Sequence, residues 1–108
     1  MVEYSLSLDS IFASLADSTR RDILRRLSIQ EMSVGAIAEP YNLTFAAVSK
    51  HLKVLERAKL VIKHRRGKEQ LVQLAPGALA DANQYLEWYR KLLEVQFNAL
   101  DNYLKKEV

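Results

Sequence analysis

Eight lysine and arginine side chains fall between residues 44 and 68: Lys50, Lys53, Arg57, Lys59, Lys63, Arg65, Arg66 and Lys68. Glu56 is the one acid among them, so this stretch carries +7. The rest of the chain has eight basic and twelve acidic residues, a net of −4. The formal +3 of the whole therefore conceals a basic patch on a mildly acidic body. The chemistry of such a patch is attraction of a polyanion, and duplex DNA is the commonest partner of this arrangement.

Covalent chemistry finds little support. Ser49, Lys50 and His51 are adjacent on a predicted helix, so their side chains fan apart and cannot form a nucleophile–base pair. No glycine-rich phosphate loop, metal-hydrolase motif or dinucleotide fingerprint occurs. With no cysteine, disulfides and thiolate metal sites are excluded. The two histidines, His51 and His64, lie inside the basic stretch without a carboxylate at useful spacing. Asp9, Asp81, Glu87, Glu94 and Asp101 leave open an oxygen-rich site between subunits. For Glu87, Glu94 and Asp101, seven apart on one side of the last helix, the ordinary reading, a solvated face or salt bridges with Arg90 and Lys105, is preferred. No metal and no cofactor is expected.

The elements that must position the basic residues read mostly helical, since only three Gly and two Pro interrupt 108 residues. Leu8, Ile11, Phe12 and Leu15 share one face of a first helix over 8–16. Asp17 or Ser18 caps a second over 19–28, which turns Ile23, Leu24 and Leu27 inward. Arg20, Arg21, Arg25 and Arg26 flank that face. Most of the four read as solvated, with Arg20 or Arg21 placed to meet a phosphate or an acidic neighbour. Ser33 caps a third, short helix that Pro40 stops, with Met32 and Ile37 as a hydrophobic staple. After a three-residue turn, Thr44 caps a fourth over about 45–58, with Leu43 and Val48 as its staple. Two short capped helices joined by a tight turn are the sequence form of a helix-turn-helix.

Val48, Leu52 and Leu55 face the fourth helix inward. Its other side presents small, hydrogen-bonding and basic residues, as a helix entering a major groove requires. Leu60–Val61–Ile62 opens a strand, Arg65–Arg66–Gly67–Lys68 forms a hairpin tip, and residues 69–74 return antiparallel. This hairpin is a wing whose basic tip can reach the backbone or the minor groove. Whether Leu71 or Val72 points inward is left open. Pro76 and Gly77 then precede a long helix over about 78–105. It carries two apolar stripes. One holds Leu79, Ala82, Leu86, Tyr89, Leu93, Leu100 and Leu104; the other holds Tyr85, Trp88, Leu92, Val95, Ala99 and Tyr103. One stripe is expected to cover the subunit's own body. The other then needs a partner, most simply a second copy in a two-fold dimer.

The order helix, helix, helix-turn-helix, wing, long helix resembles the ArsR-type winged helix-turn-helix repressors. The residues that carry the likeness are Phe12 to Arg21 (FASLADSTRR), Ala47 to Leu55 (AVSKHLKVL), Leu60–Val61, the Arg65–Lys68 tip and the Leu74–Ala75–Pro76 exit. It is most similar to the cysteine-free branch, through the Glu39–Pro40–Tyr41 turn and the Trp88–Tyr89–Arg90 segment. The resemblance covers nearly the whole chain. It implies a homodimer that binds an inverted repeat in a promoter and blocks transcription, with the first and last helices at the dimer interface. The family usually has Gly where Lys59 stands, so Lys59 must take a left-handed conformation or the helix must end differently.

The expected fold is therefore mostly α with a small β-hairpin wing, as a single winged helix-turn-helix domain over 1–108. Thr44, Phe45, Ser49, Lys50 and Lys53 are the major-groove candidates. For Phe45, contact with a thymine methyl or sugar stands beside packing against the first turn. His51, Arg57, Arg65, Arg66 and Lys68 are the backbone and wing candidates. For His51, a phosphate contact stands beside a half-buried hydrogen-bonding role. Segments 6–16 and 78–105 are the dimerisation candidates, through Leu8, Ile11, Phe12, Leu15, Tyr85, Trp88, Leu92, Val95 and Tyr103. A small-molecule effector in a dimer cleft lined by Tyr85, Trp88 and Tyr89 is a candidate trigger for release. No stretch is long and apolar enough to span a membrane, and the N-terminus lacks a signal-peptide pattern, so a cytoplasmic place on the nucleoid is expected. Rival readings are an architectural DNA binder of low specificity, a winged-helix docking module and an RNA binder.

Overall fold

The computed structural model describes residues 2–107, and side chains over 8–106. The elements run α1 (Val2–Ser14), α2 (Ser18–Leu27), β1 (Met32–Ser33), α3 (Val34–Ala38), α4 (Phe45–Arg57), β2 (Val61–Arg66), β3 (Glu69–Leu74) and α5 (Pro76–Glu107). The fold is mostly helical, with a small antiparallel wing and a long last helix: a winged helix-turn-helix.

The predicted caps form. Asp17 accepts from the Arg20 amide, Ser33 from that of Ala36 and Thr44 from that of Ala47. Each satisfies an amide that the first turn of a helix leaves without a partner. At the other end of α4 the Lys59 amide bonds the Glu56 carbonyl and the Leu60 amide bonds the Leu55 carbonyl, both at 3.0 Å. This is a Schellman stop, and it places Lys59 at φ 61°, the left-handed position glycine usually takes. Lys59 thus adopts the strained geometry and does not alter the helix end. Leu55 and Leu60, both fully buried, supply the apolar contact that accompanies such a stop.

The wing is a two-residue hairpin in which Arg66 pairs with Glu69 across Gly67–Lys68. Gly67 has φ +64° and Lys68 does not share a positive φ, the signature of a type II′ turn. A third strand was not foreseen. Met32–Ser33 pairs with Val72 and Leu71, giving the sheet order β1-β3-β2. Two residues are too few to show alternation in a sequence. Leu71 and Val72 are both buried, but Val72 is the one that joins the core, with Leu74 packed against it, so the Val72–Leu74 face points inward.

The core joins Ile11, Ile23, Leu27, Ile37, Val48, Leu52, Leu55, Leu60 and Val72. Ile11 is 0% exposed inside one subunit, so it cannot also lie at an interface with another. That corrects its assignment to the dimer contact. The α1 helix begins at Val2, earlier than residue 8, and ends at Ser14. Of the expected 6–16 dimerisation segment, the side chains of Leu6 and Ser7 lie outside the described residues.

A second correction concerns α5. Its first turns pack on the body through Ala78 and Ala82, with Leu79 partly buried. From Leu86 onward neither stripe covers the subunit: Leu86, Leu93, Leu100 and Leu104 are as exposed as Trp88, Leu92, Val95 and Tyr103. At 1.5 Å per residue, a helix of 32 residues is about 48 Å long, which exceeds the width of the body it leaves.

Candidate nucleic-acid interface

The α4 helix is seated by Val48, Leu52 and Leu55, each 0% exposed. At about 100° per residue, Ser49, Lys53, Ala46, Arg57 and Lys50 then fall together on the outward side. Thr44, Lys50, Lys53 and Arg57 are exposed, and Ser49 is half-buried on the flank facing the wing. Phe45 is 63% exposed, so it does not pack into the first turn; of its two readings, the surface one remains. Phe45 and Ser49 face Lys63, Glu69 and Gln70 across an open groove of about 340 Å³ between helix and wing. Glu69 and Gln70 were not singled out from the sequence, because only the hairpin's fold-back brings them beside α4.

The wing is less uniformly basic than its sequence. Glu31, in the turn before β1, accepts from His64 Nε2 at 2.9 Å and lies 3.6 Å from Arg66 Nη2. Lys63 Nζ sits 3.9 Å from Glu56. Among the described residues, Lys50, Lys53, Arg57, Lys59, Arg65 and Lys68 form no ion pair. The unpaired cations thus lie on α4, at its stop and at the wing tip. Glu31 was missed because it is 33 residues from His64 in the chain.

Three of the four α2 arginines bond carbonyls of neighbouring segments; Arg20 and Arg26 are partly buried, while Arg21, like Arg25, stays exposed. Arg20 donates through Nε to the Ser14 carbonyl at 2.6 Å and through Nη2 to Ala13 at 3.2 Å, while Arg21 reaches the Leu15 carbonyl at 2.8 Å. Together they satisfy carbonyls where α1 ends. Arg26 does the same for α3, donating to Ala36 and Ile37 carbonyls at 3.0 and 2.8 Å, and lies 5.2 Å from the centroid of the Tyr41 ring. Tyr41 in turn donates to Asp22 at 2.5 Å. That bond, with a second from Arg25, holds the Asp22 carboxyl below its ordinary range; burial and the same bond push the Tyr41 hydroxyl up. The Asp17 carboxyl is also lowered, chiefly by the Arg20 amide it caps. His51 is partly buried, with Nδ1 3.3 Å from Arg20 Nη1 and 3.8 Å from Asp17. This geometry is that of the hydrogen-bonding histidine.

Along α5, Arg90 bonds Glu87 and Glu94, and Lys105 pairs with Asp101 at 3.0 Å. The acids there form salt bridges on the polar side, as the ordinary reading held. Among the described residues no group of three or more His, Asp or Glu is placed to hold a metal ion, and no helix is long and apolar enough to cross a membrane. Tyr85 packs at a tilt against Phe12 at 5.8 Å and edge-on against Tyr89 at 5.2 Å, and Trp88 meets Tyr89 edge-on at 4.8 Å. Leu8 is buried and, with Asp9, Phe12 and Tyr85, lines a small recess between α1 and α5. Leu15 is partly buried against the core.

A helix-turn-helix domain family matches residues 15–64, from the end of α1 to the wing. Over 88 residues the chain is 40% identical to the HTH-type transcriptional regulator Rv2034 of Mycobacterium tuberculosis, covering 80% of this chain and 82% of that one. The crystal structure of the ArsR family transcriptional regulator RHA00566 superposes with a TM-score of 0.77 at 28% identity, covering 83% of this chain and 93% of that chain. The chain belongs to the ArsR family of winged helix-turn-helix regulators. It is a cysteine-free member, and a DNA-binding transcription regulator in its fold and relatives. This ArsR-family chain is also 32% identical over 79 residues to the transcriptional repressor SdpR of Bacillus subtilis, covering 73% of this chain and 88% of that one.

Proposed function

We propose that this regulator acts as a homodimeric repressor that reads an inverted repeat in duplex DNA, as one domain over residues 1–108. The observation that carries the reading is the outward side of α4. Its unpaired Lys50, Lys53 and Arg57 stand beside Ser49 and exposed Phe45, and Arg65 and Lys68 extend the same charge onto the wing tip. Thr44, Phe45, Ser49, Lys50 and Lys53 enter the major groove, while Arg57, Arg65, Arg66 and Lys68 contact the backbone beside it. The likeness to SdpR, a repressor, supports blocking of transcription.

Dimerisation is supported by α5. Its apolar residues from Leu86 to Leu104 cover more than half of the helix circumference and find nothing to cover in their own subunit. The partner contact runs through Phe12, Leu15, Tyr85, Trp88, Leu92, Val95 and Tyr103, with Leu8 at its edge. A small-molecule effector seated beside Tyr85, Trp88 and Tyr89 would act through that contact.

The test is selection of sites from random duplexes at near-physiological salt, followed by a fit of affinity against salt for the winner. Enrichment of an inverted repeat with half-sites about 34–36 Å apart supports the reading. Arg65→Ala is expected to lower the salt slope by about one while weakening all duplexes alike. A slope equal to wild type removes Arg65 from the interface, and no enriched site leaves an architectural or docking role.

A further inference from the structure

Arg20 spends three donor groups on three acceptors from two elements. Nε and Nη2 bond the last carbonyls of α1, and Nη1 points at Nδ1 of His51 on α4. The base of the arrangement is rigid: Ser14 is 0% exposed and its hydroxyl is bonded back to Ile11 at 2.7 Å. The Arg20 amide is itself held by Asp17 at 3.0 Å. A guanidinium carries donors and no acceptor. The 3.3 Å contact is therefore a hydrogen bond only if His51 Nδ1 accepts, which puts the ring proton on Nε2. A hydrogen bond here sets the orientation of the imidazole and its Nε2–H tautomer, against the pull of the Asp17 carboxylate 3.8 Å from the same nitrogen.

We propose that Arg20 is a positioning residue for DNA recognition, locking the rotation of α4 against the end of α1 through His51. The proposal rests on the reading of α4 as the DNA-reading helix. His51 lies on the flank of α4 opposite Ser49 and Phe45, so the wing side and the α1 side hold the helix from two directions. A helix that rotates about its axis moves every base-contacting side chain at once. Loss of the lock therefore costs discrimination between sites rather than attraction to DNA. Lysine cannot replace arginine here, because one ammonium cannot keep the planar fork directed at three separated acceptors.

The experiment compares wild type, Arg20→Gln, Arg20→Lys, His51→Gln and the double variant Arg20→Gln/His51→Gln. Each is measured on the selected site and on a random duplex, across a salt series and at a temperature where unfolding curves show it folded. In parallel, ring ¹⁵N spectra report the His51 tautomer. Expected for both Arg20 variants is a roughly tenfold or greater fall in the ratio of specific to random affinity, with an unchanged salt slope. The wild-type spectrum shows the Nε2–H form, and Arg20→Lys loses its dominance. Arg20→Gln adds little further loss on the His51→Gln background. A salt slope lower by about one makes Arg20 a phosphate contact and overturns the proposal. So does a lower unfolding midpoint with an unchanged ratio, which leaves Arg20 a cap of α1 only. If Arg20→Gln fails to fold, Arg20→Lys with the tautomer spectrum decides. If wild type itself prefers no duplex, the DNA reading of α4 fails first. That is a different result from a preference in wild type that the Arg20 variants retain.

Discussion

Replacing Lys59 isolates one backbone strain and predicts its size. At φ 61° the Lys59 Cβ is crowded by its own backbone, which costs an L-residue about 1–2 kcal/mol. Glycine removes that cost but frees the unfolded chain by about 0.4–1 kcal/mol. The balance favours glycine by about 1 kcal/mol. Comparison with wild type alone would confuse this with charge, because Lys59 also lies at the C-terminal end of the α4 dipole, where a cation contributes about 0.3–1 kcal/mol. Lys59→Ala supplies the control: it keeps the Cβ and discards the charge. Lys59→Gly is thus expected to exceed Lys59→Ala by about 1 kcal/mol, or about 4–8 °C in Tm for a domain near this size. Urea unfolding at matched protein concentration measures it, since any dimer makes the midpoint concentration-dependent. The m-value should not differ between the two variants. Equal midpoints for glycine and alanine would refute the argument that the Schellman stop stores strain at Lys59. In DNA titrations the two variants should behave alike, because both lose the same charge.

Glu31→Gln removes the acid that pairs with His64 and Arg66, so binding to all duplexes should tighten several-fold, as titrations at fixed salt will show; unchanged affinity would place the Glu31 side of the wing away from DNA. Asp22 has its folded-state pKa lowered by Tyr41 and Arg25, so its stabilisation is present above the ordinary carboxylate pKa of 3.8 and is lost as the pH falls through the lowered value. Tyr41→Phe should therefore flatten the acid limb of a stability–pH curve, and a limb as steep as wild type would remove this bond as its cause. Leu92→Glu, in the middle of the exposed α5 face, should yield monomers by sedimentation at micromolar concentration while circular dichroism retains the helical signal; a persistent dimer would move the interface elsewhere.

Local rules settled a large part of this protein from its sequence. The caps at Asp17, Ser33 and Thr44, the Gly67 turn, and the inward faces of α2 and α4 depend on residues a few positions apart. Such interactions survive in any fold that keeps the segment, so composition and spacing determine them. The concentration of cations in 44–68 is likewise a property of the chain. Tertiary structure decided what depends on distant residues. It brought Glu31 onto the wing, and turned Arg20, Arg21 and Arg26 into clamps on other helices. It enclosed Ile11 in the core and set Met32–Ser33 beside β3. It also left both α5 stripes bare from Leu86 onward, because a helix of 32 residues, about 48 Å at 1.5 Å per residue, outruns the body that its first turns cover. A sequence pattern records which side of an element is apolar. Whether that side is covered, and by which atoms, depends on where every other element ends.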